Sequence, residues 1–200
     1  MQRLLDVADV MRELYERGWI TTRDGNISVK AAGSDSFYVT PSGVVKYEIR
    51  PGDMVSVDPT REHPVAGEKK PSGEIHMHML LQSISDGGSW TVIHAHPTNV
   101  VAAMYAGFDL SRLAEDFPEL GRNTRVAPNV GILPATSVAL GEATLDAMTG
   151  GGRTSLLYDI VGQDRHGVAA VARTPWEAFE HVERLEHCCE IVLKSGVRPS

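Results

Sequence analysis

Cysteine is nearly absent from this chain of 200 residues, and the two present, Cys188 and Cys189, are adjacent. Neighbours on one helix do not readily close a disulfide, and no second pair stands at metal-ligand spacing. A disulfide framework and a cysteine-based zinc site are both excluded. Long apolar runs are missing as well: nothing approaches the roughly 20 residues that span a bilayer. The opening stretch, MQRLLDVADVMRELYERGW, is charged throughout where a secretory leader would be apolar. Positive charge is in deficit, with 19 Lys and Arg against 26 Asp and Glu and a formal net charge of −7. The basic residues are scattered, so nucleic acid and anionic membranes are poor partners. No internal repeat or low-complexity segment occurs. What remains, 42% hydrophobic and 22% charged, suits one cytoplasmic domain over residues 1–200 with a sizeable core.

Periodicity supplies the elements. Residues 3 to 18 place Leu4, Val7, Ala8, Val10, Met11 and Leu14 at helical intervals, with Gly18 as a stop. Asp24 to Val29 reads as a turn entering a strand, Ser36 to Thr40 and Asp53 to Asp58 read as strands, and Pro59 to Lys70 as a polar connection. Val100 to Tyr105 reads as a short helix. Residues 109 to 137, with three prolines, read as loops. Ser137 caps a helix running to Met148 that is closed by three glycines, Ser155 to Ile160 and Val168 to Ala172 read as strands, and Pro175 to Lys194 forms a final helix. Strands mixed with peripheral helices indicate an α/β layered domain.

The stretch from Lys70 to Pro97, KPSGEIHMHMLLQSISDGGSWTVIHAHP, is the most informative. It carries four of the eight histidines. Thr91-Val92-Ile93 leads into His94-Ala95-His96 as a strand ending at Pro97. Residues two apart on a strand share a face, so both imidazoles reach one point, as metal ligands or as a satisfied pair. Upstream, Ser72 is a candidate helix N-cap, with Glu74 in the first turn at a terminus that attracts anions. His76 and His78 read as histidines that cap or pack against the sheet. Three small polar turns recur: Gly25-Asn26-Ile27-Ser28, Thr40-Pro41-Ser42-Gly43 and Pro71-Ser72-Gly73. Each can nest a phosphate through N–H and O–H donors.

Together GNIS at 25–28, TPSG at 40–43, KPSGE at 70–74, HAHP at 94–97 and RHGV at 165–168 resemble the class II aldolase/adducin family, over about Val7 to Leu193. The resemblance implies a three-layer α/β/α sandwich with a central, largely antiparallel mixed sheet. It implies zinc, or another divalent metal, bound by His94, His96 and His166, with Glu74 as the catalytic acid/base. Asn26, Ser42, Gly43, Ser72 and Gly73 are then the contacts to a phosphorylated sugar. By the same resemblance the protein is a homotetramer with active sites between subunits.

The implied activity is a zinc-dependent lyase that cleaves a ketose 1-phosphate by retro-aldol chemistry through a metal-stabilised enediolate, releasing dihydroxyacetone phosphate. Dehydratases of methylthioribulose 1-phosphate, epimerases and decarboxylases share that step, and a non-catalytic adducin-like module shares the fold. Gly73 stands where the aldolases often carry a second serine. Glu115 to Arg125 lacks the tyrosine that the family supplies from a neighbouring subunit, leaving Asp116 or Glu119 as the candidate distal acid/base. A cupin-like iron oxygenase also starts from His-x-His, but it needs a nearby downstream carboxylate, and Pro97 to Tyr105 contains none.

Overall fold

The strands bury both faces, and the alternation of their side chains decides which helix each face meets. The computed structural model describes residues 2–60 and 69–198. Its elements are α1 (Gln2–Glu16), β1 (Asn26–Lys30), β2 (Phe37–Val39), β3 (Val55–Val57), α2 (Ile75–Ser83), β4 (Trp90–Ala95), α3 (Thr98–Tyr105), α4 (Leu110–Glu115), α5 (Pro118–Asn123), β5 (Val126–Val130), α6 (Val138–Thr149), β6 (Ile160–Gln163), β7 (Gly167–Ala172) and α7 (Pro175–Ser195). The sheet runs β3-β2-β1-β4-β7-β6-β5, and only β5 and β6 are parallel.

On one face, Ile27, Val29, Ile93, Ala95, Val168 and Ala170 join the core beneath α1, α3 and α7. On the other, Trp90, Val92, Ala169 and Val171 pack beneath α2 and α6. This is the expected three-layer arrangement with a mostly antiparallel sheet. In α1, Val7, Val10, Met11 and Leu14 are fully buried, each contributing about 1.5–3 kcal/mol of transfer free energy.

Helix ends follow local chemistry. Thr174 and Glu177 form a reciprocal capping box, Pro175 begins α7, and Gly196 ends it in the left-handed conformation. Glu186 of α7 reaches across to the start of α3. Its carboxylate accepts from the backbone N–H of Asn99 at 3.0 Å and of Val100 at 2.8 Å. Those donors have no partner within their own helix, so α7 anchors the chain just after His96 and Pro97.

Several expectations need correction. Residues 109–137 are not loops: they hold α4, α5 and β5. Asp109 caps α4 by accepting from Ser111 N at 2.9 Å, and Pro118 opens α5. Pro128 is accommodated because β5 is the sheet edge, where a missing N–H costs little. Ser155 to Tyr158 form no strand. Leu157 and Tyr158 donate their N–H groups to Met148 O at the end of α6, so strand pairing begins only at Ile160. The third strand shortens to Val55–Val57. Glu74, rather than Ser72, occupies the N-cap position of α2. Of the polar connection, residues 61–68 lie outside the described residues.

One glycine limits how closely the sheet closes around the histidines. A Cβ on Gly167 would stand 2.3 Å from Ala95 O and 2.6 Å from the His96 ring. The G167A variant must therefore separate β7 from the end of β4. We expect it to lose about 1–3 kcal/mol in urea denaturation; unchanged stability would contradict this packing.

Candidate metal centre and its cavity

Register brings the site together. β1 and β7 both pair with β4, placing Asn26 opposite His94 on one side and Ala169 opposite His94 on the other. Side-chain alternation turns Asn26, Ser28 and His94 toward α2. His96 lies just past the strand, its N–H held by Trp19 O at 2.7 Å. His166 arrives on the hairpin between β6 and β7. There Arg165 takes a left-handed φ of 58°, and His166 N donates to Gln163 O at 3.0 Å.

The three imidazoles converge. Their ring centroids are 4.8 Å (His94–His96), 4.8 Å (His94–His166) and 5.2 Å (His96–His166) apart. One nitrogen from each lies within 4.8 Å of the others. Val168 O lies 3.0 Å from His94 Nδ1 and can only accept, so Nδ1 carries the hydrogen and Nε2 is a bare lone pair. That Nε2 stands 3.0 Å from His96 Nε2. A tetrahedral zinc bonded at about 2.0–2.1 Å needs nitrogens about 3.3 Å apart, so the pair is spaced to share one ion. Burial, aided by the neighbouring imidazoles, pushes His94 well below the ordinary histidine value. Burial and His166 bring His96 down to about 4. Both rings are thus neutral near pH 7, as ligation requires. The donor set fits a divalent metal.

Glu74, 6% exposed, faces this group at the start of α2. Its Oε1 accepts from Thr136 N at 2.9 Å and lies 3.9 Å from His166 Nε2. Thr136, with a left-handed φ of 61°, belongs to the loop before α6, and Gly73 leaves room for its methyl group, 3.1 Å from where a Cβ would stand.

A cavity of about 250 Å³ opens beside these groups. Asn26, Ser42, Ser72, Gly73, Glu74, His94, His96 and His166 all line it. Gly43 does not; its carbonyl accepts from Arg23. Asp116 lines a different cavity, against the C-terminal helix, and Glu119 is exposed at the start of α5, so neither meets the histidines of its own chain. His76 also points elsewhere, its Nε2 3.9 Å from Glu142 of α6.

Arg23, Asp24, Lys46 and Thr136 line the cavity too, and sequence reasoning missed all four. Lys46, only 2% exposed, donates to Pro41 O at 2.7 Å and makes no ion pair among the described residues. Burial lowers its ammonium to about 8. Among the described residues, no helix is long and apolar enough to cross a membrane.

A sequence profile described as Class II Aldolase and Adducin N-terminal domain matches residues 5–193, and the chain belongs to that family. A probable bifunctional methylthioribose-1-phosphate isomerase/methylthioribulose-1-phosphate dehydratase from Nocardia farcinica is 31% identical over 202 residues, covering 95% of this chain and 35% of that protein. The methylthioribulose-1-phosphate dehydratase of Bacillus subtilis is 33% identical over 106 residues, covering 52% of this chain and 51% of that protein. The matched region therefore spans about a third of the first relative and about half of the second. Among solved structures, an L-fuculose 1-phosphate aldolase superposes with a TM-score of 0.79 at 25% identity, covering 100% of this chain and 89% of that one. A putative aldolase/epimerase/decarboxylase from Escherichia coli shares the fold, with a TM-score of 0.82 at 20% identity, covering 98% of this chain and 90% of that one.

Acid should loosen this region first. His78, fully buried on α2, is held down to about 3 by burial and by Lys46, against an ordinary 6.5. The unfolded chain therefore takes up the proton first, so stability is complete above about 6.5 and falls as the pH drops toward 3. Urea midpoints measured with chelator present should fall across that window, and less steeply in H78Q. Equal slopes for the two proteins would contradict the burial of a neutral imidazole.

Proposed function

We propose that the chain is a metal-dependent lyase acting on a phosphorylated ketose, and that its reaction is loss of water from a substrate of the methylthioribulose 1-phosphate class. The observation that carries this reading is the convergence of three imidazoles, one buried carboxylate and one buried ammonium on a single cavity. The two dehydratase relatives favour water loss over carbon–carbon cleavage.

His94, His96 and His166 would hold the ion, with zinc the best fit to an all-imidazole set and manganese or cobalt also accepted. Bound there, a divalent cation supplies a Lewis acid for a substrate carbonyl. Glu74, fixed by the Thr136 N–H, takes the proton from the carbon beside that carbonyl. The hydroxyl on the next carbon then departs as water with the proton that Glu74 took, so one C–H and one C–O bond break and a C=C bond forms. Lys46 favours an anionic substrate: a buried ammonium with no ion pair among the described residues is costly, and a phosphate in the cavity would offset that cost. Ser42 and Ser72 offer hydroxyl donors beside it.

The match to an L-fuculose 1-phosphate aldolase supports a second reading on the same groups, in which the carbon–carbon bond breaks and dihydroxyacetone phosphate leaves. A homotetramer with sites between subunits and a cytoplasmic location belong to either reading.

The test is product analysis of the zinc-loaded protein with a panel of ketose 1-phosphates that includes methylthioribulose 1-phosphate. A product lighter by one water, lost on chelation and restored by metal, is expected. Release of dihydroxyacetone phosphate would instead select the second reading, and no turnover of any member would contradict both. E74Q should reduce kcat by about 10²–10⁴-fold with zinc still bound. K46M should raise KM about tenfold or more, as expected for a lost charged contact; an unchanged KM would remove Lys46 from substrate binding.

A further inference from the structure

The geometry points to His78 as a positioning residue, which turns the side-chain amide of Asn26 so that its NH2 group, not its carbonyl, faces the cavity as a donor to an anion. The inference rests on the anionic-substrate reading above and assigns one of its contacts a direction.

His78 is fully buried on α2, with Asn26, Ser28 and Gln82 each 5% exposed or less around it. Its Nε2 lies 2.5 Å from Asn26 Oδ1 and its Nδ1 2.7 Å from Ser28 Oγ; Gln82 Nε2 donates to the same Oγ at 2.8 Å. A neutral imidazole has one donor and one acceptor, and an amide oxygen only accepts. The bond to Asn26 therefore assigns the hydrogen to His78 Nε2. His78 Nδ1 then accepts from the Ser28 hydroxyl, whose oxygen accepts from Gln82. Four side chains form one directed chain from Gln82 to Asn26, and its far end stops at Gln82 Oε1, which has no partner among the described residues.

The chain matters because Asn26 lines the cavity. With Oδ1 engaged by the imidazole, Nδ2 is the end left to face the substrate space. Asn26 also pairs with His94 across the strands, so the amide is held beside the histidines by backbone and side chain together. Reversing the chain, with hydrogen on Nδ1, would turn the carbonyl inward and repel an anion. An imidazole kept neutral by burial, reading one strand residue through its tautomer, is a positioning device. It differs from a histidine that only fills space.

Two measurements test this on the zinc-loaded protein. The nitrogen chemical shifts of His78 should report a protonated Nε2 and a bare Nδ1 at neutral pH; a protonated Nδ1 overturns the proposal, with no variant needed. Inorganic phosphate is then titrated and followed at the Asn26 side-chain NH2 resonance. In H78N, whose short amide reaches Ser28 but not Asn26, phosphate should bind about tenfold or more weakly. H78Q, which can still donate to Asn26 Oδ1, should restore binding to within about twofold of the parent. On a substrate that turns over, H78N should raise KM by the same factor and leave kcat within about twofold. Equal phosphate affinity in all three proteins, or no phosphate response at Asn26 in the parent, overturns the proposal. Because tautomer and phosphate response are read without turnover, they stay separate from a failure of the proposed reaction.

Discussion

The site depends on the last residues of β4, where two antiparallel neighbours close on the strand at once. β1 brings Asn26 beside His94, and β7 brings Val168 O against His94 Nδ1, which fixes that ring's tautomer. The approach of β7 is possible only because Gly167 has no side chain between Ala95 and His96. From this pairing follow the hairpin that carries His166, the face on which α2 must lie, and the position of Glu74 at its start.

Such a cluster is unfavourable on its own. Burial and mutual repulsion hold His94 and His96 unprotonated, and His166 Nδ1 is buried without a partner among the described residues. Lys46 adds an ammonium without a carboxylate partner among the described residues. Folding energy from the two apolar layers offsets these penalties, while a cation between the imidazoles and an anion beside Lys46 would relieve them. The cavity is thus preorganised for charges of opposite sign.

Much of this was legible from residue order. His94 and His96 stand two apart on a β-branched run, and the small turns at 25–28, 40–43 and 70–74 meet at one cavity with Glu74. The final helix was legible because Pro175 and Gly196 mark both ends. Thr136 was not, because it contributes a backbone N–H, and no side-chain type advertises that. Lys46 sits in a short turn, Lys46–Glu48, that packs against α1, and nothing in the local sequence marks its side chain as buried. The apolar Leu156-Leu157 run suggested a strand, yet its N–H groups serve the end of α6. Prolines at 118 and 128 suggested loops, whereas one begins a helix and the other lies on an edge strand. For Leu157 and Pro128 a partner elsewhere in the chain overruled the local pattern, whereas Pro118 opens a helix by its own geometry. His78 was legible as a packing histidine; its hydrogen-bond partners assign it more than that.

X-ray absorption at the metal edge of the zinc-loaded protein decides whether the three histidines hold the ion. Three imidazole nitrogens at about 2.0–2.1 Å are expected, with the remaining position filled by oxygen, and one nitrogen fewer in H166A. A sulfur ligand, or a first shell unchanged by the loss of His166, would contradict that ligand set.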